Sequence, residues 1–365
     1  MRIVHRGRGA RGLAAGAAAV GIMLAAAACS SSGSSTASSG SGSSSIINGA
    51  GSTFAAPMYQ QCAGQYRQSV NHNVQINYQA IGSGGGISEF TQGVVDFGAT
   101  DAPMSSTEQS AAQAGQGSVV LHIPMILGPV AIIYNEPGVS KLVLNGPVLA
   151  GIYLGKITKW NDPAIAKLNP GVKLPSDAIQ PIERADSSGT SYVFSTYLAA
   201  VSPTWASQIG VSKAPAFPVG TGATGSSGIA AAVQQTKGSI GYVEYGYAVQ
   251  GHIPFASIVN ASGQAVAPSA ASVLAAARAA TYPKNPAALT FSLVNSAASG
   301  AYPLSTPTYV LVAQTQQDKA KGKTLKAWLT WALQPGQQAK VAKLGYASLP
   351  PALDKLALAA VNTIH

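Results

Sequence analysis

Beyond residue 46 the chain alternates between short apolar runs typical of β-strands and longer stretches in which apolar residues have helical spacing. Residues 74–78 alternate apolar and polar side chains, as a half-buried strand does. Residues 130–134 and 308–312 are continuous apolar runs, which predict buried parallel strands. Helices are predicted between the runs, at 88–95, 105–114, 192–201, 227–235, 269–280 and 321–333. The alternation predicts an α/β fold in which helices cover a mainly parallel sheet.

The length of this part of the chain predicts two lobes. About 320 residues follow residue 45, which exceeds the size at which a single hydrophobic core stops growing. No internal repeat is evident in the sequence. In α/β proteins ligands bind outside the carboxyl ends of the strands, where helix N-termini converge. We therefore expect any ligand site to lie in turns that follow strands.

The N-terminus has the organisation of a secretory signal peptide. Residues 1–11 contain four Arg, residues 12–28 are uncharged and rich in Ala, and Cys29 follows at once. The end of the run resembles a bacterial lipobox, in which the cysteine is diacylated and becomes the mature N-terminus, although Ala26 stands where Leu is usual. We predict a signal peptide over 1–28 and lipidation of Cys29. The alternative is an uncleaved membrane helix, for which 17 apolar residues are slightly short.

A tether is predicted after the cysteine. Residues 30–45 consist of Ser, Gly, Thr and Ala only, so they have neither charge nor large apolar side chains to bury. Such a flexible coil of 16 residues has a root-mean-square reach of about 22 Å. Residues 29–45 would therefore hold the folded body close to a membrane while leaving it free to tumble.

Composition argues against a nucleic-acid-binding protein. Only 9% of residues are charged, well below the usual quarter of the chain. Four of the 22 Lys and Arg residues precede the apolar run, so the net charge falls from +10 to +6 beyond residue 28. The remaining basic residues form no cluster in the sequence, whereas a phosphate-backbone reader needs clustered Lys and Arg on one face.

The sequence also lacks the patterns of common catalytic and metal sites. There is no Gly-x-Ser-x-Gly motif, and the P-loop ending at 322–324 fails because Gln317 replaces its first glycine. The histidines are scattered without ligand spacing, so we predict no metal site and no cofactor. Cys62 is the only cysteine beyond Cys29 and lies in a helical apolar stripe, so we predict a buried packing residue and no disulfide.

Four turns rich in Gly, Ser and Thr are the candidate ligand-binding elements. They cover residues 49–54, 81–86, 184–190 and 220–228, and helical patterns follow at least three of them. A helix N-terminus leaves N–H groups unpaired and carries roughly half a positive charge. Glycines let a ligand approach this backbone, and hydroxyls add donors. Together the turns predict a site for a small oxyanion, although each alone is also an ordinary helix cap.

Two charged groups make the prediction more specific. Arg184 in the third turn offers a planar, bidentate fork for an oxyanion, and Asp186 could orient it. The alternative for this pair is a surface ion pair. The second charged group, Asp101, follows the apolar residues 97–99. The alternative interpretation of Asp101 is an ordinary loop carboxylate exposed to solvent.

The sequence resembles the periplasmic phosphate-binding proteins of high-affinity phosphate ABC transporters. The resemblance is carried by GAGSTFAAP (49–57), IGSGGG (81–86), DFGATDAP (96–103), IYLGKITKWND (152–162), RADSSGTSYVF (184–194) and GSIGYVEYGYA (238–248). It implies a two-lobed periplasmic binding-protein fold of type II, with helices on both faces of the sheets and a ligand cleft between the lobes. Lobe one would comprise 46–130 plus 301–365, and lobe two would comprise 131–300.

The resemblance also implies the function and the site. The chain would be a non-enzymatic, monomeric lipoprotein outside the cytoplasm that binds inorganic phosphate and delivers it to an ABC permease. The implied phosphate ligands are Thr53, Phe54, Ser83, Asp101, Arg184, Ser188, Gly189 and Thr190, with Asp186 behind Arg184. Asp101 would accept the proton that phosphate still carries. The fourth turn has a less fixed pattern in the family and is left out of the predicted site.

Three other functions stay open at this point, the last of which is a purely structural or adhesive surface lipoprotein. The first is a binding protein for another oxyanion, sulfate or molybdate, which would have no use for the Asp101 carboxylate. The second is a secreted serine hydrolase or phosphatase with Ser83 or Ser188 as nucleophile, for which the sequence offers no nearby histidine or metal set.

Overall fold

The computed structural model describes residues 45–365. The predicted signal peptide, Cys29 and nearly all of the tether lie outside the described residues. Ser45, predicted as the last tether residue, is instead the first residue of a strand, because it pairs in parallel register with Val74. Within the described residues, no helix is both long enough and apolar enough to cross a membrane.

Helices and strands alternate along most of the described chain. The strands are β1 Ser45–Gly51, β2 Val74–Ala80, β3 Phe97–Thr100, β4 Val120–Asn135, β5 Val143–Leu144, β6 Gln180–Arg184, β7 Thr221–Ala223, β8 Ser239–Glu244, β9 Ser257–Val259, β10 Ala265–Val266 and β11 Ser305–Ala313. The helices are α1 Ala56–Ser69, α2 Ser83–Thr91, α3 Ser106–Gln116, α4 Gly146–Tyr153, α5 Pro163–Leu168, α6 Gly189–Val201, α7 Pro203–Gln208, α8 Gly225–Gln235, α9 Tyr245–Gln250, α10 Ala270–Ala279, α11 Lys319–Ala332, α12 Pro335–Ala342 and α13 Pro351–Asn362. A short 3₁₀ turn covers Pro286–Ala288.

Eight strands form one sheet with the order β2-β1-β3-β11-β4-β8-β6-β7, and β10-β9-β5 form a small second sheet. Both ends of the large sheet are parallel: β1 with β2 and β3, and β6 with β7 and β8. Its centre is antiparallel, because β11 runs against β3 and β4, and β4 runs against β8. The predicted parallel direction of the strands at 130–134 and 308–312 was therefore wrong, although both are buried as expected.

Strand β4 is shared by two halves of the large sheet. Up to Pro129 it pairs with β11, and from Val130 it pairs with β8. We call β1, β2, β3, β11 and the first part of β4 the first half, and the rest of β4 with β8, β6 and β7 the second half. Helices α2 and α3 pack on the first half, and α6, α8 and α9 pack on the second.

Apolar side chains cover both faces of the sheet. In β11, Val310 and Val312 join the large core cluster that contains Trp328, while Leu311 points to the other face and joins a cluster with Phe90. This is the period of two expected for a strand. Cys62 is buried in the large cluster as predicted.

Candidate functional site

The candidate residues all lie at or just after the carboxyl end of a strand. Thr53 and Phe54 lie between β1 and α1, Ser83 begins α2 after β2, and Asp101 follows β3. In the second half, Arg184 is the last residue of β6, and Ser188, Gly189 and Thr190 form the start of α6. The fourth turn leads from β7 into α8. Strand order therefore directs four helix N-termini toward one region.

The structure brings the Asp101 loop against the start of α6. A Cβ atom on Gly189 would lie 2.7 Å from the Asp101 Cβ and 2.6 Å from the Ser83 Oγ. The Asp101 N–H donates to the Ser83 Oγ at 3.3 Å. Only glycine fits at position 189 at these distances. Ser83 and Asp101 of the first half are therefore in direct contact with the start of α6.

Asp101 is a buried carboxylate with a shifted pKa. Burial raises the pKa of Asp101 to about 6, against the opposing hydrogen bond from Ser52 and the positive charge of Arg184. The Ser52 hydroxyl lies 2.6 and 2.7 Å from the two carboxylate oxygens. At neutral pH the carboxyl is therefore ionised and is a hydrogen-bond acceptor.

Arg184 is buried and is held by Asp186. Its Nε donates to the Asp186 Oδ1 at 2.7 Å, and its Nη2 donates to the other carboxylate oxygen. Burial alone would raise the pKa of Asp186, but the hydrogen bond and charge of Arg184 outweigh it and hold the pKa below its usual value. Two of the five guanidinium N–H groups are thereby used, and the remaining three are available to another acceptor.

The start of α6 supplies further donors. The Ser188 Oγ caps the helix by accepting from the Ser191 N–H at 3.2 Å, and the first-turn N–H groups of an α-helix have no partner within the helix. The Thr190 hydroxyl is buried and makes no hydrogen bond to any other group in residues 45–365. A buried hydroxyl without a partner is rare in a folded protein and is consistent with contact to a ligand.

Three tyrosines fix the backbone of the first turn. The hydroxyls of Tyr78, Tyr247 and Tyr346 donate to the carbonyls of Ser52, Thr53 and Phe54, at 2.8, 2.9 and 2.6 Å respectively. With their carbonyls engaged in this way, these residues have a fixed backbone orientation ahead of α1. The Phe54 side chain lies in the core and not in the site.

The fourth turn belongs to the same cluster, although the sequence analysis left it out. The Thr53 Oγ1 lies 2.9 Å from the Ser226 Oγ and accepts from the Ser226 N–H at 3.1 Å. The Gly225 N–H donates to the Asp186 Oδ1 at 3.0 Å. The sequence signal was present, since 220–228 has the same Gly, Ser and Thr composition as the other turns.

Glu244 is a second buried acid near the cluster, and sequence reasoning did not single it out. It ends β8, and its Oε1 accepts from the Gly246 N–H at 2.7 Å. Burial raises the pKa of Glu244 well above its usual range, which favours its uncharged form. Arg184, Asp186 and Asp101 are the other ionisable groups of the cluster.

The arrangement suits a small tetrahedral oxyanion that carries a proton. Four helix N-termini, each equivalent to about half a positive charge, and Arg184 can offset the charge of the anion. The Asp101 carboxylate, beside the start of α6, can act as a hydrogen-bond acceptor. Among the described residues there is no group of His, Cys, Asp and Glu that could hold a metal ion.

Comparison with known proteins gives consistent matches. The PBP superfamily domain matches residues 31–335. The phosphate-binding protein PstS of Xylella fastidiosa is 40% identical over 309 residues, covering 84% of this chain and 82% of the relative. The protein of the same name from Pasteurella multocida is 39% identical over 302 residues, covering 82% and 85%.

Solved structures share the fold. A phosphate-binding protein from Stenotrophomonas maltophilia aligns with a TM-score of 0.67 at 22% identity, covering 86% of this chain and 93% of that one. A high-affinity periplasmic phosphate-binding protein solved with bound phosphate aligns with a TM-score of 0.68 at 23% identity, with the same coverage. At these identities the likeness concerns the two-lobed fold.

Proposed function

The chain belongs to the PBP superfamily and, within it, to the family of the phosphate-binding proteins PstS; from this premise we propose that it captures inorganic phosphate between its two halves and delivers it to the permease of an ABC transporter. It is a binding protein and not an enzyme. The observation that carries the choice of ligand is the buried Asp101 carboxylate beside the charge of Arg184.

In this proposal the affinity comes from Arg184 and the helix N-termini. Arg184 would bind two phosphate oxygens through the N–H groups that Asp186 leaves free. The hydroxyls of Ser188 and Thr190 and the N–H groups of α6, including that of Gly189, would bind from the second half. Thr53, the Phe54 N–H and Ser83 would bind from the first half. The convergence of these residues in the structure supports the assignment.

Asp101 would supply the selectivity. A carboxylate repels an anion unless the anion brings a hydrogen-bond donor, and monohydrogen phosphate does. Sulfate is fully deprotonated at neutral pH, so it would leave two negative groups in contact. The pKa of about 6 for Asp101 is compatible with this role, because the carboxyl is ionised at neutral pH.

The two lobes would move together and enclose the anion in the cleft between them. We assign residues 46–130 plus 301–365 to lobe one and 131–300 to lobe two. The change of partner along β4 between Pro129 and Val130 supports the first boundary. The hydrogen bond from the Val130 N–H to the Leu304 carbonyl, 2.8 Å long, supports a second crossing beside the first. Two adjacent crossings would act as a hinge.

Replacing Gly189 with alanine should weaken phosphate binding at least about tenfold without destabilising the fold. The new Cβ would lie 2.8 Å from the Asp101 backbone nitrogen, a contact that exists only when the halves are together. Isothermal titration calorimetry measures the affinity, and thermal unfolding measures stability. Gly336→Ala is the matched control, since nothing lies within 4 Å of its Cβ position. Unchanged affinity in Gly189→Ala would contradict a closed site at this contact.

The N-terminal sequence supports a lipid anchor that attaches the protein to the membrane. We propose that Cys29 is lipidated and that the protein acts as a monomer on the outer side of the cell membrane. Cys29→Ala should shift the protein from the membrane fraction to the soluble fraction, with unchanged phosphate affinity in purified protein. Mass spectrometry of the wild-type N-terminal peptide should show the diacyl modification. An unmodified N-terminus, or a Cys29→Ala variant that stays in the membrane, would contradict the anchor.

The ligand itself can be identified directly. Protein purified without added anions and then denatured should release phosphate, detected by ion chromatography or mass spectrometry, at about one per chain. Release of sulfate or molybdate would favour another oxyanion as ligand. Turnover of a chromogenic phosphate ester by the purified protein would instead favour the hydrolase.

A further inference from the structure

An ion pair joins the two halves at the edge of the site. The Lys213 Nζ donates to the Glu108 Oε2 at 2.7 Å. Glu108 lies in the first turn of α3, on the first half, and Lys213 lies in the segment after α7, on the second half. The two side chains are 29% and 15% exposed, so the pair is partly shielded from solvent.

Glu108 is held in place by its own helix. The Glu108 Oε2 accepts from the Ser105 N–H at 2.8 Å, and the Ser105 Oγ accepts from the Glu108 N–H at 3.2 Å. This reciprocal capping box fixes the carboxylate at the start of α3. Burial alone would raise the pKa of Glu108, but the hydrogen bonds and charge of Lys213, together with Ser105, lower it. The carboxyl is therefore ionised at neutral pH.

The backbone of Lys213 is hydrogen-bonded to the start of α6, in the second half. Its backbone carbonyl accepts from the Ser188 N–H at 2.8 Å. The preceding residue, Ser212, exchanges hydrogen bonds with the Ser195 hydroxyl of α6, at 3.0 and 3.1 Å. The lysine thus moves with α6, and the pairing of its side chain to α3 needs little additional ordering of the backbone.

This ion pair differs from the other contacts between the halves. The Gly84 N–H donates to the Ser187 carbonyl at 2.9 Å, and Thr53 contacts Ser226; both are neutral hydrogen bonds. Of the four ion pairs in the described part of the chain, three lie within one half. They are Arg184–Asp186, Lys237–Asp177 and Lys321–Asp96. Of these four ion pairs, only Glu108–Lys213 would separate if the halves moved apart.

We propose that the Glu108–Lys213 ion pair is a latch that holds the cleft closed around bound phosphate and slows its release. The inference rests on the proposed function, because a latch needs a cleft that opens. Since the pair forms after the halves meet, its loss should act on the dissociation rate more than on the association rate. A partly shielded pair of this kind predicts an increase in the dissociation rate of about three- to tenfold on removal.

The test measures phosphate release by stopped-flow fluorescence in four proteins: wild type, Glu108→Gln, Lys213→Gln and the double variant. Gln at position 108 can keep the capping box, which limits damage to α3. Each single variant should release phosphate about three- to tenfold faster, and the double variant no faster than the singles, because both remove one interaction. Lys237→Gln is the control, since its ion pair is exposed and lies within the second half.

Two outcomes would overturn the latch: release rates equal to wild type in both single variants, or effects that multiply in the double variant. Absence of phosphate binding by the wild type would refute the proposed function separately. In that case small-angle scattering of the ligand-free proteins decides on the latch. Both single variants should then have a larger radius of gyration than wild type and Lys237→Gln, and equal radii would overturn it.

Discussion

Replacing Arg184 with alanine should weaken phosphate binding by about a hundred- to a thousandfold. The guanidinium is buried and already fixed by Asp186, so it binds an anion without further ordering. Its removal deletes charge-assisted hydrogen bonds to the anion and leaves a buried Asp186 without its partner; truncating one member of a buried charge pair typically costs about 2–5 kcal/mol of binding free energy. Each factor of ten in affinity corresponds to about 1.4 kcal/mol. Isothermal titration calorimetry of the purified variant measures the loss.

A double variant separates the two parts of this effect. In Arg184→Ala with Asp186→Ala, the unpaired carboxylate is gone, so part of the affinity lost in the single variant should return. Arg184→Lys should fall between wild type and Arg184→Ala, because lysine keeps the charge but not the planar fork. A folded Arg184→Ala protein with wild-type affinity would remove Arg184 from the binding site.

Replacing Asp101 with asparagine should change the preference for phosphate over sulfate by about a thousandfold. Two unit charges about 4 Å apart, at an effective dielectric constant of about 20, repel by roughly 4 kcal/mol. In the wild type this repulsion acts against sulfate, whereas phosphate donates a hydrogen bond to the carboxylate and so avoids it. The asparagine is neutral and can also donate, so sulfate should gain affinity while phosphate loses a strong acceptor.

The comparison is best made at pH 8, because a carboxyl with a pKa of about 6 is then ionised in the wild type. Calorimetric titrations with each anion give the ratio of affinities. Ser52→Ala is a useful control, since it removes the hydroxyl 2.6 Å from the carboxylate but leaves the charge. It should change the ratio much less than Asp101→Asn. An unchanged ratio in Asp101→Asn would exclude Asp101 as the selectivity element.

Local patterns predicted the elements better than their arrangement. Helix α3 begins one residue after its predicted start, where Ser105 caps it. The direction of β11 was wrong because a buried strand is apolar whichever way its neighbours run. That direction depends on the connections between distant strands, such as the register of Ser305 with Pro129.

Helix α2 shows a second limit of sequence reasoning. It begins at Ser83, five residues before the predicted start at 88, and runs through Gly84, Gly85 and Gly86. Glycines disfavour helices when considered alone. Here a Cβ on Gly86 would lie 2.4 Å from the Gly51 Cα, so the helix packs against β1 at a distance that only glycine permits. Tertiary packing outweighed local propensity.

For the site, the sequence indicated the turns but not their partners. The four turns were recognised from composition, and Asp101 and Arg184 from their chemistry and the family resemblance. The contact of Ser52 with Asp101 joins residues 49 positions apart, and that of Thr53 with Ser226 joins residues 173 apart. Such pairs follow from the strand order, and no local sequence pattern predicts them.

The most direct test of phosphate capture with proton-based selectivity is a competition titration of wild-type protein stripped of ligand. We expect phosphate to bind at about one per chain at pH 8, and an excess of sulfate of about a hundredfold to leave its apparent affinity nearly unchanged, given the roughly thousandfold discrimination expected from Asp101. Sulfate or molybdate that displaces phosphate at comparable concentration would contradict the account.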